Sequence, residues 1–184
     1  MVKKILAILI LSLIVLVNST SAFAAENYAG SSAALLKTVS EKAPDSRAKI
    51  LKEFLEKYDS PLAPFSEDFV SIADKYDLDW KLVAAISGVE STFGKQIPIN
   101  SYNGWGWGIY GDNMIRFSSW TEAIETISKG LRTNYINKWG AKDVYAIGAF
   151  YASSPTWASR VTYFMNSIDN FKDQKLATNL SISL

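Results

Sequence analysis

The segment Leu82-Val83-Ala84-Ala85-Ile86-Ser87-Gly88-Val89-Glu90-Ser91-Thr92-Phe93-Gly94 decides how the rest of the chain is read. Its first eight residues carry no charge, and a helix that is apolar on every side is normally a core helix. Glu90 follows directly. At 100° per residue it projects between Val83 and Ile86, inside the apolar sector, where a solvated Glu is not expected. Burial and the negative end of the helix dipole both disfavour its ionised form and raise its pKa. A raised carboxyl pKa suits a general acid working near neutral pH. The plainer alternative is an exposed Glu in the last turn, or one paired with Lys95 or Arg116.

Downstream, Ser101-Tyr102-Asn103-Gly104-Trp105-Gly106-Trp107-Gly108-Ile109-Tyr110 alternates Gly with Trp. Gly permits close backbone approach to a ligand. Trp and Tyr supply flat apolar faces with a polar edge, which suit the C–H patches of sugar rings. Asn can bind hydroxyl and acetamido groups. The run is not a dinucleotide-binding turn, because it lacks the third Gly and a surrounding strand–helix unit. The competing reading is that the Trp side chains fill the core and the Gly residues make turns.

Around these two segments the periodicity is helical. A helix is expected over 46–58 with Asp45 as N-cap and Ile50, Leu51, Phe54 and Leu55 on one face. Pro61 and Pro64 break the chain. Ser66 caps a helix to about Tyr76, with Phe65 and Val70 as a hydrophobic staple. Asp79 caps the helix that ends near Ser91. Residues 94–117 read as irregular, with room for a short β-hairpin. Ser118 or Ser119 opens a helix to about Asn134, 141–151 forms another, and Pro155 starts a last one to about Phe171. The class is therefore mainly α.

The N-terminus reads as an address. Lys3 and Lys4 precede residues 5–17, which are apolar except for Ser12, and Ala22-Phe23-Ala24 supplies a small-x-small cleavage pattern. This reads as a signal peptide over 1–24, cut near Ala24-Ala25; the alternative is a retained membrane anchor, for which the run is shorter than the ~20 residues a bilayer needs. Taking Lys3 and Lys4 from the 19 basic residues leaves 17 against 18 acidic ones, a net charge of −1. The expected organisation is a linker and N-terminal helix over 25–64, a domain over 65–171 and a polar tail over 172–184. The product is expected to be secreted or in the cell envelope, without a membrane span, and monomeric.

The 184-residue chain contains no Cys and no His. That excludes Ser-His-Asp and Cys-His nucleophile pairs, Cys/His zinc sites and disulfides. No metal or other cofactor is expected. The balanced charge argues against a nucleic-acid partner.

Together these segments resemble bacterial wall-lytic glycosidases with the lysozyme-like fold. Residues 85–94 look like the catalytic helix end of endo-β-N-acetylglucosaminidase (mannosyl-glycoprotein endo-β-N-acetylglucosaminidase-like) domains, where Glu-Ser, an aromatic residue and Gly close the helix. Residues 103–109, Phe117 with Ser119, and Phe150-Tyr151-Ala152-Ser153-Ser154-Pro155-Thr156-Trp157-Ala158 are similar to the segments that follow in that family. The Glu-Ser and Phe-Tyr features also resemble soluble lytic transglycosylases and goose-type lysozymes. The Gly-Trp-Gly-Trp-Gly run stands in place of the Gly-Leu-Met-Gln signature of transglycosylases and the Asn-x-Phe-Gly form of glucosaminidases.

The resemblance implies a lysozyme-like helical domain and cleavage of peptidoglycan or another N-acetylglucosamine-containing glycan. It makes Glu90 the acid that protonates the glycosidic oxygen and Tyr151 the residue that positions or stabilises the sugar. Ser91 would hydrogen-bond backbone or substrate, and Asn103, Trp105, Trp107 and Tyr110 would line the groove. Glycosidases usually employ a second carboxylate. Asp112, Glu122 and Asp143 are the candidates, each also readable as a surface charge or helix cap. Without a second carboxylate, the substrate's acetamido group or its 6-hydroxyl would complete the reaction. A non-catalytic glycan-binding protein is the reading from another class.

Overall fold

The computed structural model describes residues 45–108 and 114–182. The expected signal peptide and the 25–44 stretch lie outside the described residues, as do Ile109, Tyr110 and Asp112. Helix α1 (Ser46–Glu56) begins where Asp45 accepts the Arg47 N–H at 2.8 Å, and it buries Leu51, Phe54 and Leu55. These residues share one core with the later helices, so the folded unit reaches upstream of Phe65. Pro61 and Pro64 break the chain between this helix and the next, in a turn. Ser60 Oγ holds that turn, donating to the Phe93 carbonyl at 2.7 Å and accepting the Leu62 N–H at 3.0 Å.

A 3-10 turn over Ala63–Phe65 runs straight into α2 (Ser66–Lys75). Ser66 is therefore inside the helix and buried, not a cap, because the preceding turn already delivers the backbone in helical register. Glu67 and Asp68 in the first turn and Lys75 in the last complement the helix dipole.

Helix α3 (Leu82–Ser91) buries every residue from Leu82 to Gly88. Asp79 Oδ1 accepts the Lys81 N–H at 2.9 Å in the turn just before it. Gly88 is required by packing: a Cβ there would lie 2.7 Å from the Phe93 ring. That ring sits among Phe54, Tyr58 and Phe164, with centroids 5.8, 4.6 and 4.9 Å away.

Helix α4 (Trp120–Gly130) starts at Ser119, whose hydroxyl accepts the Glu122 N–H at 3.1 Å. The chain then changes winding. Leu131–Lys138 is a π-helix where an α-helix to Asn134 was expected. Helix α5 (Val144–Tyr151) begins three residues later than expected, because Asp143 caps it by accepting the Ala146 N–H at 2.8 Å.

Helix α6 starts at Trp157, after the turn that holds Pro155, and continues past Phe171 to Ile182. Residues 172–182 are thus helical. One cause is α1 alongside: Lys175 bridges to Glu53 at 2.8 Å, and Lys57 and Lys175 both lie over the Phe171 ring. Among the described residues there is no strand, and the 94–117 stretch is an irregular loop where described. No described helix is long and apolar enough to cross a membrane.

Candidate active site

The site is built on the abrupt end of α3. After Glu90-Ser91, Thr92, Phe93 and Gly94 all take positive φ, at 53°, 57° and 81°. A β-branched residue in that region is strained, and the strain is held by bonds on both sides. The Phe93 N–H reaches the Ser87 carbonyl at 3.0 Å. Ser91 Oγ donates to the Gly104 carbonyl at 2.7 Å and accepts the Gly94 N–H at 2.9 Å. Of the roles expected for Ser91, the structure gives it the backbone one: it is buried and clamps the helix end to the glycine-rich loop.

Within that loop, Asn103 is also buried. Its Nδ2 donates to the carbonyls of Trp107 (2.8 Å) and Ile115 (3.0 Å), and its Oδ1 accepts the Trp107 N–H at 3.0 Å. All three bonds brace the loop, so Asn103 shapes the groove from behind and does not line it. Trp105 corrects the expectation more strongly. It is 0% exposed, packs on Phe69 and Trp120, and donates Nε1–H to the Val83 carbonyl at 2.8 Å. It is a core residue. Trp107 is half-buried and does border the groove, closely seated on Gly130, where a Cβ would lie 2.5 Å from its indole.

Glu90 is exposed, where burial was expected from its helical face. The element opposite it explains the opening. Gly106 faces the carboxylate, with φ of +63° and no side chain; a Cβ there would sit 3.4 Å from Glu90 Oε2. Neither Lys95 nor Arg116 pairs with Glu90; Arg116 donates instead to the Ile99 carbonyl. Glu90 Oε1 accepts the Trp157 indole N–H at 2.6 Å. Its pKa is pushed up by the loss of surrounding water, against the opposing pull of that indole bond and of the Arg160 charge. Accessibility and a raised pKa are compatible, because the side chain is exposed while its carboxylate lies close to Trp157 and Gly106.

Tyr151 stands beside it. Its hydroxyl donates to the Trp105 carbonyl at 2.8 Å, and its ring stacks on Trp157 at 4.7 Å and 23°. Burial of the hydroxyl end, then the Glu90 charge, then Tyr135 raise its pKa well above the ordinary phenol value. Tyr151 is therefore a neutral phenol at any physiological pH. Trp157, only 2% exposed, is the residue that joins the two. Sequence reasoning gave Trp157 no role, although it lies in the Phe150–Ala158 stretch. Arg160, one helical turn further on and reaching the Val89 carbonyl at 3.4 Å, was likewise missed.

From Gly106 a cleft of about 480 Å³ leads away, walled by Trp107, Tyr135, Trp139, Phe150 and Tyr151. Two of the three carboxylates considered as partners of Glu90 are helix-capping groups: Asp143 caps α5, and Glu122 accepts from the Ser118 N–H and hydroxyl beside the α4 cap. Asp112 lies outside the described residues.

The raised pKa of Glu90 makes a stability prediction with a definite sign. The folded state holds the Glu90 proton to higher pH than the unfolded chain, whose value is near 4.5. Ionised Glu90 therefore costs stability as pH rises through its folded value. Glu90→Gln is expected to melt higher than wild type at pH 8. That gain should shrink as pH falls and vanish below about pH 4, where both carboxyl states are protonated. Thermal melts across pH 4–8 check this, and a variant melting lower than wild type at pH 8 would contradict it.

No protein-family model matches this sequence, and no curated protein matches it. Solved structures do. The fold is similar to that of autolysin E of S. aureus in complex with the disaccharide NAG-NAM, there as a catalytic glutamate-to-alanine mutant. The likeness has a TM-score of 0.56 at 17% identity, over 69% of this chain and 67% of that one. It is also similar to autolysin E in complex with the muropeptide NAM-L-Ala-D-iGlu, with a TM-score of 0.54 at 18% identity over the same shares.

Proposed function

We propose that this chain is an exported glycosidase that cuts the β-1,4 glycan strands of peptidoglycan, by endo-β-N-acetylglucosaminidase-type cleavage, with Glu90 as the single general acid. The observation that carries the reading is the Glu90 carboxyl: it faces Gly106 at the end of an aromatic-walled cleft, has a raised pKa, and accepts the Trp157 indole N–H. The fold shared with autolysin E, which was captured on a wall disaccharide through a catalytic glutamate mutant, supports the same substrate class.

In this reading a glycan strand lies in the cleft with the glycosidic oxygen at Glu90. Protonated Glu90 gives its proton to that oxygen as the bond to the sugar C1 breaks, and the leaving sugar departs as a neutral alcohol. The positive charge at C1 is met by the sugar's own 2-acetamido oxygen, and water then adds to C1. The water's spare proton returns to Glu90. This route suits a site whose candidate second carboxylates Glu122 and Asp143 are used as caps. Tyr151, held neutral, walls the sugar beside the reacting bond. Trp157 keeps the Glu90 carboxyl from rotating away.

Digestion of purified peptidoglycan followed by mass analysis of the fragments tests the proposal. Reducing N-acetylglucosamine ends are expected. Reducing N-acetylmuramic ends would make the protein a muramidase, and anhydro-muramic ends a lytic transglycosylase. Binding without cleavage would leave a non-catalytic glycan-binding protein.

A further inference from the structure

The far end of the cleft carries features that acid catalysis at Glu90 does not use. Trp139 and Phe150 are large aromatic residues left 44% and 54% exposed, with their rings 5.3 Å apart and inclined by 35°. Tyr135 links them to the catalytic end, with its centroid 5.8 Å from Tyr151 and 4.8 Å from Trp139. The aromatic wall is thus continuous from Glu90's neighbour to an exposed pair.

The π-helix Leu131–Lys138 determines what else faces this pair. In a π-helix, bonding reaches five residues along, so residues five apart lie on one face. In an α-helix the same residues would point about 140° apart. The Trp139 N–H bonds the Asn134 carbonyl at 2.9 Å, and both residues line the cleft. The altered winding therefore adds the Asn134 amide to the aromatic face. That side chain is exposed and has no hydrogen-bond partner among the described residues. Such π-segments are frequent at functional sites.

We propose that Trp139, Phe150 and Asn134 form a distal subsite that takes an N-acetylhexosamine ring of the bound strand, a proposal that rests on the glycan-cleaving reading. Flat rings receive the C–H face of the sugar, and the amide, both donor and acceptor, pairs with its acetamido group. A lipid or an apolar helix would leave that amide unanswered. The subsite binds substrate and takes no part in bond cleavage, so it acts on strands long enough to reach it.

Calorimetric titration of the Glu90→Gln protein with N-acetylglucosamine oligomers of two and five units tests this, with and without Trp139→Ala. The exposed position of Trp139 leaves the core intact. The substitution is expected to weaken pentamer binding about tenfold and leave the dimer unchanged. Asn134→Ala is expected to erase any preference for the N-acetylated pentamer over its deacetylated form. Equal weakening of both oligomers, no change for either, or no binding of either by the parent protein would each overturn the subsite. If Trp139 controls pentamer binding but wild type releases no glycan fragment, the subsite stands and the enzyme reading falls. If wild type cleaves and Trp139→Ala leaves KM for long strands unchanged, the reverse holds.

Discussion

Glu90→Gln is expected to lower kcat/KM on peptidoglycan strands by about a thousandfold and to leave KM near its wild-type value. The magnitude is that of a general acid, which contributes roughly 10²–10⁴-fold. The loss falls on kcat because the proton moves only as the bond breaks, so the interaction belongs to the transition state. Gln is the informative replacement. It keeps the size of Glu and an oxygen that accepts the Trp157 indole N–H, now at 2.6 Å from Glu90 Oε1. It removes only the transferable proton. The wild-type rate should also fall as pH rises through the raised pKa of Glu90, since the protonated form is the active one. Circular dichroism and the melts described above separate this loss from misfolding. A decrease of less than tenfold would place the proton donor elsewhere.

Trp105→Ala has the largest expected effect on stability, a loss of about 3–5 kcal/mol, typical of removing a large buried aromatic. Trp105 is wholly buried, lies 6.2 Å from Phe69 and 6.1 Å from Trp120 by ring centroids, and bonds the Val83 carbonyl of α3. Deleting it opens a cavity between the loop and the helix that carries Glu90. Urea denaturation should show a lower midpoint at nearly unchanged slope. Trp107→Ala is the contrast. Trp107 borders the cleft, so its loss should raise KM more than it lowers the denaturation midpoint. If Trp105→Ala instead cost under about 1 kcal/mol and its main effect were on KM, Trp105 would be a groove residue after all.

The two tryptophans show what the sequence makes legible and what it leaves open. Asp45, Ser119 and Asp143 begin helices through side-chain bonds that follow from residue type and local spacing. The uncharged run before Glu90 announced the core helix. In Gly-Trp-Gly-Trp-Gly, by contrast, the direction of each indole depends on backbone dihedrals that Gly leaves open. Gly106 and Gly108 both settle at φ of +63°, and only the packed structure fixes that choice. Helical geometry placed Glu90 on an apolar face. It could not show that the opposing residue would be Gly106, which turns an expected burial into an open carboxylate. The π-winding leaves no signature in residue type, so Asn134 and Trp139 were not seen as neighbours. Trp157 was hidden for a similar reason, because its bond to Glu90 spans 67 residues.

The role proposed for Glu90 is to supply the proton to a departing sugar. The most direct test compares wild type with Glu90→Gln on two substrates that share the same N-acetylglucosamine oligomer. In one the leaving group is a further sugar. In the other it is 2,4-dinitrophenolate, which departs as a stable anion without needing a proton. General-acid catalysis by Glu90 predicts a loss of about a thousandfold on the first and less than about tenfold on the second. An equally large loss on both substrates would contradict it, because the missing function would then not be proton donation.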